Sequence, residues 1–418
     1  MPLESLIHTP SSVTVHPAQD AALDFSILYF GNDWSAENRT SSHHIARILG
    51  ERFPLLYIET PGMRAPSASK RDLKKLWRKL RAAAHPPRMV GEHMWVMTMP
   101  QIPFRRWPLV QRLNELYGQL VVRRALRRLG FQRTISWFAV PHPGALAGKF
   151  HERYVVYYCI DDYSGLPDVD REVIRQLDDH LSRAADQVFL ASRTLLERKR
   201  ELNRNTIYSP HGVDYAHFSR ASDPATPIAE PARHLAHPII GFFGSISGWI
   251  DLELIAQLAQ ARPNWTFLLV GFASVDTSIL QQCGNVVLAG AQPYSRLPEW
   301  AKAFDVAILP YQRSNPGAIN ANPLKLREYL ATGKPVIAVS TPEIERFSHC
   351  IRIANTPEEF LRQIEDALEN DSKEQQAQRM REVMGSTWEA RVQHVLEDVR
   401  AGMRAKGRTL GNAAYRDR

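Results

Sequence analysis

The sequence predicts an α/β protein of two doubly wound domains facing each other across a cleft. Short apolar runs alternate with segments of helical period along most of the chain. The same strand–helix grammar restarts near the middle. The 418 residues also exceed what one ordinary core fills. Strands alternating with helices make parallel sheets covered on both faces.

In the first half, residues 25–30, 54–59, 95–100, 134–140, 154–160 and 187–192 are apolar runs bounded by turn residues, and read as buried strands. Between them, 42–52, 109–129 and 173–185 carry helical spacing. The second half repeats this with strands at 238–246, 265–271, 286–290, 305–311 and 335–340. Its helices are expected at 252–261, 297–303, 323–331, 358–369 and 387–404. The expected division is a flexible leader over 1–22, an N-terminal domain over 23–205 and a C-terminal domain over 206–385. A closing helix over 386–404 and a polar tail over 405–418 follow. The linking stretch is the polar, proline-containing 219–238.

The hydrophobic content of 44% and charged content of 23% are those of a globular protein. Cys159, Cys283 and Cys350 are unclustered, so no disulfide framework or zinc-ligand spacing is expected, which suits the cytoplasm. The N-terminus lacks a basic segment followed by an apolar run, so no signal peptide is expected. The net charge of +8 is uneven: seventeen Lys/Arg against three Asp/Glu fall between Arg64 and Arg133. Such a block asks for an anionic partner. Nucleic acid is not expected, because no basic-plus-aromatic binding motif accompanies the charge. Within the block, residues 70–88 place Leu73, Leu76, Trp77 and Leu80 among lysines and arginines, with Arg105, Arg106 and Trp107 beyond. That pattern fits an interfacial helix on the inner face of an anionic membrane, or an amphipathic helix packed on its own domain.

The most informative segment is Asn322 to Val336. Asn322 suits a helix N-cap, Pro323 the first helical position and Gly333 the helix exit. Lys325 then lies in the first turn, where unpaired N–H groups already favour an anion, and its charge suits a phosphate. Glu328, three residues on, shares that face and suits a ribose diol. Leu326 and Leu330 point to the core.

The run from Lys325 to Val336 resembles the hallmark of GT-B glycosyltransferases, the group 1 retaining family of two Rossmann-like domains. The resemblance implies that Glu328 holds the donor ribose. Lys325, Arg327 and the backbone around Asn322 and Leu324 would hold its diphosphate. Residues 241–251 resemble the family's glycine loop, with Gly244 and Ser245 at the phosphates. Residues 211–218 resemble the interdomain connection, with His211 structural. Residues 290–311 resemble the base-binding strand, loop and helix, which sets Gln292, Pro293 and Tyr294 against the base. Trp388-Glu389 resembles the helix that crosses back to the first domain.

Two departures stand out. Asn320 occupies the place of the family's glutamate that contacts the donor sugar, and Ser245, Ser247 and Trp249 replace its usual basic pair. The Trp249-x-Asp251 variant resembles enzymes of bacterial exopolysaccharide and teichuronic acid synthesis. The expected donor is a nucleotide diphosphosugar, UDP favoured over GDP, with no cofactor and no metal, and the expected acceptor is lipid-linked or an oligosaccharide. A nucleotide-sugar epimerase and a non-catalytic nucleotide-binding scaffold of the same fold remain open.

For the acceptor half, the candidates at strand ends are Asn32, Asp33, Ser42, His43, His44, His142, Asp161 and Asp162. His142 could bond donor sugar or acceptor, and Asp161 or Asp162 could serve as general base. Tyr29, Trp34 and Tyr163 could stack on sugars or pack in the core.

Overall fold

The computed structural model describes residues 25–35, 39–60, 86–99, 101–102, 107–166, 169–320 and 322–416. The first sheet is built from β1 (Ser26–Gly31), β2 (Leu55–Glu59), β3 (Arg88–Gly91), β4 (Met94–Thr98), β5 (Thr134–Phe138), β6 (Tyr154–Cys159), β7 (Gln187–Leu190) and β8 (Thr206–Tyr208). Their order is β3-β4-β2-β1-β5-β6-β7-β8, parallel except for the β3 edge. The second sheet is built from β9 (Ile239–Phe243), β10 (Thr266–Val270), β11 (Val286–Gly290), β12 (Val306–Leu309), β13 (Val336–Ala338) and β14 (Arg352–Ile353). Its order is β11-β10-β9-β12-β13-β14, all parallel. In each sheet the order reverses beside the first strand, and such switch points are where open α/β sheets bind ligands.

The apolar runs form strands because both faces are covered. β5, β6, β9 and β10 are buried along their whole length. Stacked rings run across the first sheet from Tyr57 to Tyr29, Trp137 and Tyr158, with centroids 5.3, 6.2 and 6.3 Å apart. Helix starts are set by short polar side chains. Asp170, Asp251 and Thr356 each accept a hydrogen bond from the amide three residues on.

Several expectations are corrected. The strand Thr206–Tyr208 is the edge of the first sheet, so the first domain runs past 205 and the change of sheet falls between this strand and β9. The second core begins at Val213. The closing helix runs Trp388–Arg416 and includes most of the supposed tail. A capped helix, Lys373–Met384, stands where the sequence reading had none, because its polar face hid the period. Of the amphipathic segment 70–88, residues 70–85 lie outside the described residues, as do Arg105, Arg106 and the leader. Among the described residues, no helix is long and apolar enough to cross a membrane.

The closing helix belongs to the first core: Trp388, Val392, Val395, Leu396 and Val399 pack with β1 and β5. The chain returns at a parallel bridge, Val213 to Thr387, where a Cβ on Gly212 would lie 2.7 Å from the Trp388 backbone. Gly212→Ala should therefore lower stability by roughly 1–3 kcal/mol. Gly284→Ala, with open space around it, serves as control. Urea midpoints check this, and equal midpoints for the two variants would contradict it.

Candidate active site

The donor side is built from bare backbone. β9 runs into Gly244 and β10 into Gly271, at φ of +148° and +156°. A Cβ on Gly271 would fall 1.8 Å from the Gly244 carbonyl oxygen, so two strand ends meet at a distance only glycine allows. Beside them opens a cavity of about 260 Å³. Gly244, Gln292, Tyr294 and Lys325 line it, so four residues from three separate motifs come together there. Pro293 and Ser245 are exposed and lie outside its lining.

The helix Leu324–Thr332 positions Lys325 and Glu328. Tyr329 locks it to β9: its hydroxyl accepts from Phe243 N at 2.8 Å and donates to Phe243 O at 3.2 Å. Lys325 Nζ lies 2.9 Å from Glu328 Oε2 and 5.3 Å from the centre of the Phe243 ring. The Glu328 side chain is only 2% exposed, against 26% for Lys325.

Asn322 does not cap this helix. Pro323 holds the cap position without a side-chain bond. Asn322 is buried; its Nδ2 donates to Ala191 O at 2.7 Å and its Oδ1 accepts from Arg327 Nη1 at 2.5 Å. Ala191 follows the first sheet's β7, so Asn322 ties the two domains together. Arg327 is buried in the same junction, over the Phe347 ring, and is not part of the cavity lining. Burial pulls its guanidinium down to about 10. Leu324 packs against the first core.

Among the described residues, one from the first domain lines the cavity and a second lies near it. Arg39, which the sequence reading missed, lines it directly. His44 stacks on Trp388 at 5.1 Å and lies 5.8 Å from the Tyr294 ring. Burial first, and then the cations Arg47, Arg39 and Lys325, push His44 down to about 3, so it is neutral at physiological pH. No local signal marks Arg39: it precedes a helix and belongs to no motif.

A second meeting point lies between the strand-end loop after β6 and the short helix Pro316–Asn320. Asn320 Nδ2 donates to Asp162 Oδ2 at 3.0 Å, across the domains. A Cβ on Gly165 would lie 3.0 Å from Gly317 Cα, so the backbones nearly touch. Asp161 is half-buried beside them. Burial pushes its carboxyl up to about 7; the Asp162 amide opposes this and the Asp162 carboxylate adds to it. His142 is buried and lines a separate cavity of about 370 Å³ beneath the helix Pro108–Leu129. The structure does not bring His142 into the donor cavity.

The remaining candidates hold the scaffold. His43 Nδ1 accepts from Thr40 N at 3.1 Å and its Nε2 bonds Asp33 O at 2.9 Å. Asn32 O accepts from the Tyr57 hydroxyl, and Ser42 Oγ lies 3.4 Å from the same hydroxyl. Asp33 Oδ1 accepts from Ser35. His211 bonds Ser41 Oγ at 2.9 Å across the hinge. Tyr29 is in the aromatic core, Trp34 packs on Tyr57 at 4.9 Å, and the Tyr163 hydroxyl donates to Ala139 O. Among the described residues, no group of three or more His, Cys, Asp or Glu could hold a metal ion.

Two doubly wound domains meeting at strand ends across a cleft define the class of GT-B folds. Residues 237–370 match the family described as Glycosyl transferases group 1. A protein of Bacillus subtilis named for teichuronic acid biosynthesis, the glycosyltransferase TuaH, is 26% identical over 231 residues, 51% of this chain. The match spans 57% of that relative's length. The whole fold is similar to that of Anabaena HepE in complex with UDP and glucose (TM-score 0.56, 16% identity, 92% of this chain and 99% of that one). It is also similar to sucrose-phosphate synthase of Thermosynechococcus elongatus (TM-score 0.60, 14% identity, 93% of this chain and 100% of that one).

The raised Asp161 pKa has a stability consequence. Its carboxyl stays protonated in the folded state where the unfolded chain, near an ordinary value of about 4, already ionises. The native state therefore loses stability as pH rises from about 4 through about 7. Asp161→Asn should be more stable than the wild type at pH 8 by roughly 1–3 kcal/mol, with the gap closing below about pH 4. Urea unfolding at both pH values checks this; a gap of equal size at both would contradict it.

Proposed function

We propose that this protein transfers a sugar from a nucleotide diphosphosugar, most simply a UDP-sugar, to a lipid-linked or oligosaccharide acceptor in bacterial surface polysaccharide synthesis. The observation that carries the reading is Lys325 paired with buried Glu328 at the bare-backbone cavity of Gly244 and Gly271. The donor's diphosphate suits the lysine and the helix start, and its ribose suits the carboxylate. In the transfer, the anomeric carbon–oxygen bond to the diphosphate breaks and the acceptor oxygen bonds to that carbon. The acceptor hydroxyl's proton passes to the departing diphosphate oxygen, and the nucleoside diphosphate leaves with its remaining charge stabilised by the cationic cavity. The reading takes the transfer as retaining, with Asp161, Asp162 and Asn320 placing donor sugar and acceptor. Asp162 and Asn320 meet across the cleft, and Asp161 is the one with proton affinity near neutrality. His142 would face the acceptor from its own cavity.

Lys325→Ala should weaken UDP binding by roughly 1–3 kcal/mol and leave uridine unaffected, whereas Glu328→Ala should weaken both. Calorimetry measures this, and unchanged affinity in both variants would remove the proposal. Incubating UDP-sugars without an acceptor separates transfer from epimerisation: an epimerised sugar in the absence of acceptor supports the latter.

The reading extends to the membrane's inner face. On the helix Pro108–Leu129, Leu109, Leu113, Leu116 and Leu120 are exposed along one side, next to exposed Trp107. Arg112, Arg123, Arg124, Arg127 and Arg128 are exposed on the same helix. An apolar stripe among arginines fits the boundary of an anionic bilayer. It would set the His142 cavity, beneath this helix, beside a lipid-linked acceptor. The protein should float with vesicles containing phosphatidylglycerol and not with phosphatidylcholine alone, and a Leu113→Ser/Leu120→Ser variant should float less. No flotation with either vesicle would sink the membrane part.

A further inference from the structure

We propose that Arg39, from the first domain, is the second cation of the donor diphosphate site and closes the phosphate subsite across the cleft. This rests on the donor reading above and names a residue that reading does not use.

Among the described residues lining the cavity, two are charged, Arg39 and Lys325. Lys325 is already balanced, because Glu328 Oε2 lies 2.9 Å from its ammonium and the Glu328 side chain is 2% exposed. The Lys325–Glu328 pair therefore contributes almost no net charge. A nucleoside diphosphate carries negative charge on both phosphates, so an uncompensated cation must come from elsewhere. The glycine loop offers none: Ser245, Ser247 and Trp249 stand there. Arg39 enters from the opposite domain. It is exposed, so its guanidinium keeps donors for a ligand.

Arg39 is also held in place. Its Cζ lies 5.6 Å from the centre of the Trp34 ring. Trp34 is fixed in turn by its backbone N–H, which donates to Glu59 Oε1 at 2.9 Å, and by packing on Tyr57. A planar guanidinium on an aromatic platform suits a phosphate bidentately, which an ammonium does not. Because Arg39 and Lys325 sit on different domains, a diphosphate between them would join the two halves.

Titration calorimetry on the full chain tests this, with UDP as the probe and uridine as its phosphate-free counterpart. Arg39→Gln should weaken UDP roughly 10- to 100-fold, the range for a lost hydrogen bond to a charged group, and leave uridine unchanged. Arg39→Lys should recover part of the loss, and the salt dependence of UDP affinity should be shallower in Arg39→Gln than in the wild type. Thermal midpoints without ligand should be the same for all three. If Lys325→Ala weakens UDP and Arg39→Gln does not, the inference falls and the donor reading stands. Equal losses of UDP and uridine in Arg39→Gln would show a structural effect and also overturn it. If neither Arg39→Gln nor Lys325→Ala changes UDP affinity, both fall.

Discussion

The ion pair between Lys325 and the enclosed Glu328 is the interaction around which the second domain is arranged. Taking a carboxylate almost wholly out of water costs several kcal/mol unless its charge is matched. Lys325 supplies the match at 2.9 Å, and the Phe243 ring beneath it adds its quadrupole. Both charges are held on one helical turn, and that turn is pinned to β9 by the Tyr329 hydroxyl. The pair stands at a cavity lined by the Gly244 and Gly271 strand ends and by Arg39, Gln292 and Tyr294.

Around this pair the two domains are tied by polar contacts, each with a partner on the other side. Asn322 donates to Ala191 O, and buried Glu343 accepts from Arg193 N at 2.6 Å and from the Tyr208 hydroxyl at 3.1 Å. Asn320 donates to Asp162. Buried polar groups must be satisfied, so these bonds fix the orientation of the halves more tightly than an apolar interface would. The Asn320–Asp162 contact also gives the departure from the family glutamate a physical meaning. A glutamate at 320 would face Asp162 as a like charge, whereas asparagine donates to it. The carboxylate of this region then belongs to the first domain.

Much of the fold was legible because parallel strands buried on both faces must be continuously apolar. β1, β5, β6, β9 and β10 announce themselves in this way. β8 and β14, short edge strands, and the polar-faced helix Lys373–Met384 do not, since little of their surface needs to be apolar. Lys325 and Glu328 were legible for a local reason: helix geometry puts residues three apart on one face. Asn322 was misread for the same kind of reason. Its residue type suits a cap, but a carbonyl at Ala191 and a guanidinium at Arg327 compete for its amide, and both come from outside its local sequence.

The sequence by itself determined the two α/β halves, the glycine strand ends and the charged turn, because each follows from spacing within a few residues. Tertiary structure alone decided which first-domain groups meet that turn. Arg39 and His44 lie almost three hundred residues before Lys325 in the chain, and no periodicity couples them. Arg39 lines the cavity, and His44 lies close to it on the helix Ser41–Arg52, which packs against the closing helix with Trp388 stacked on His44.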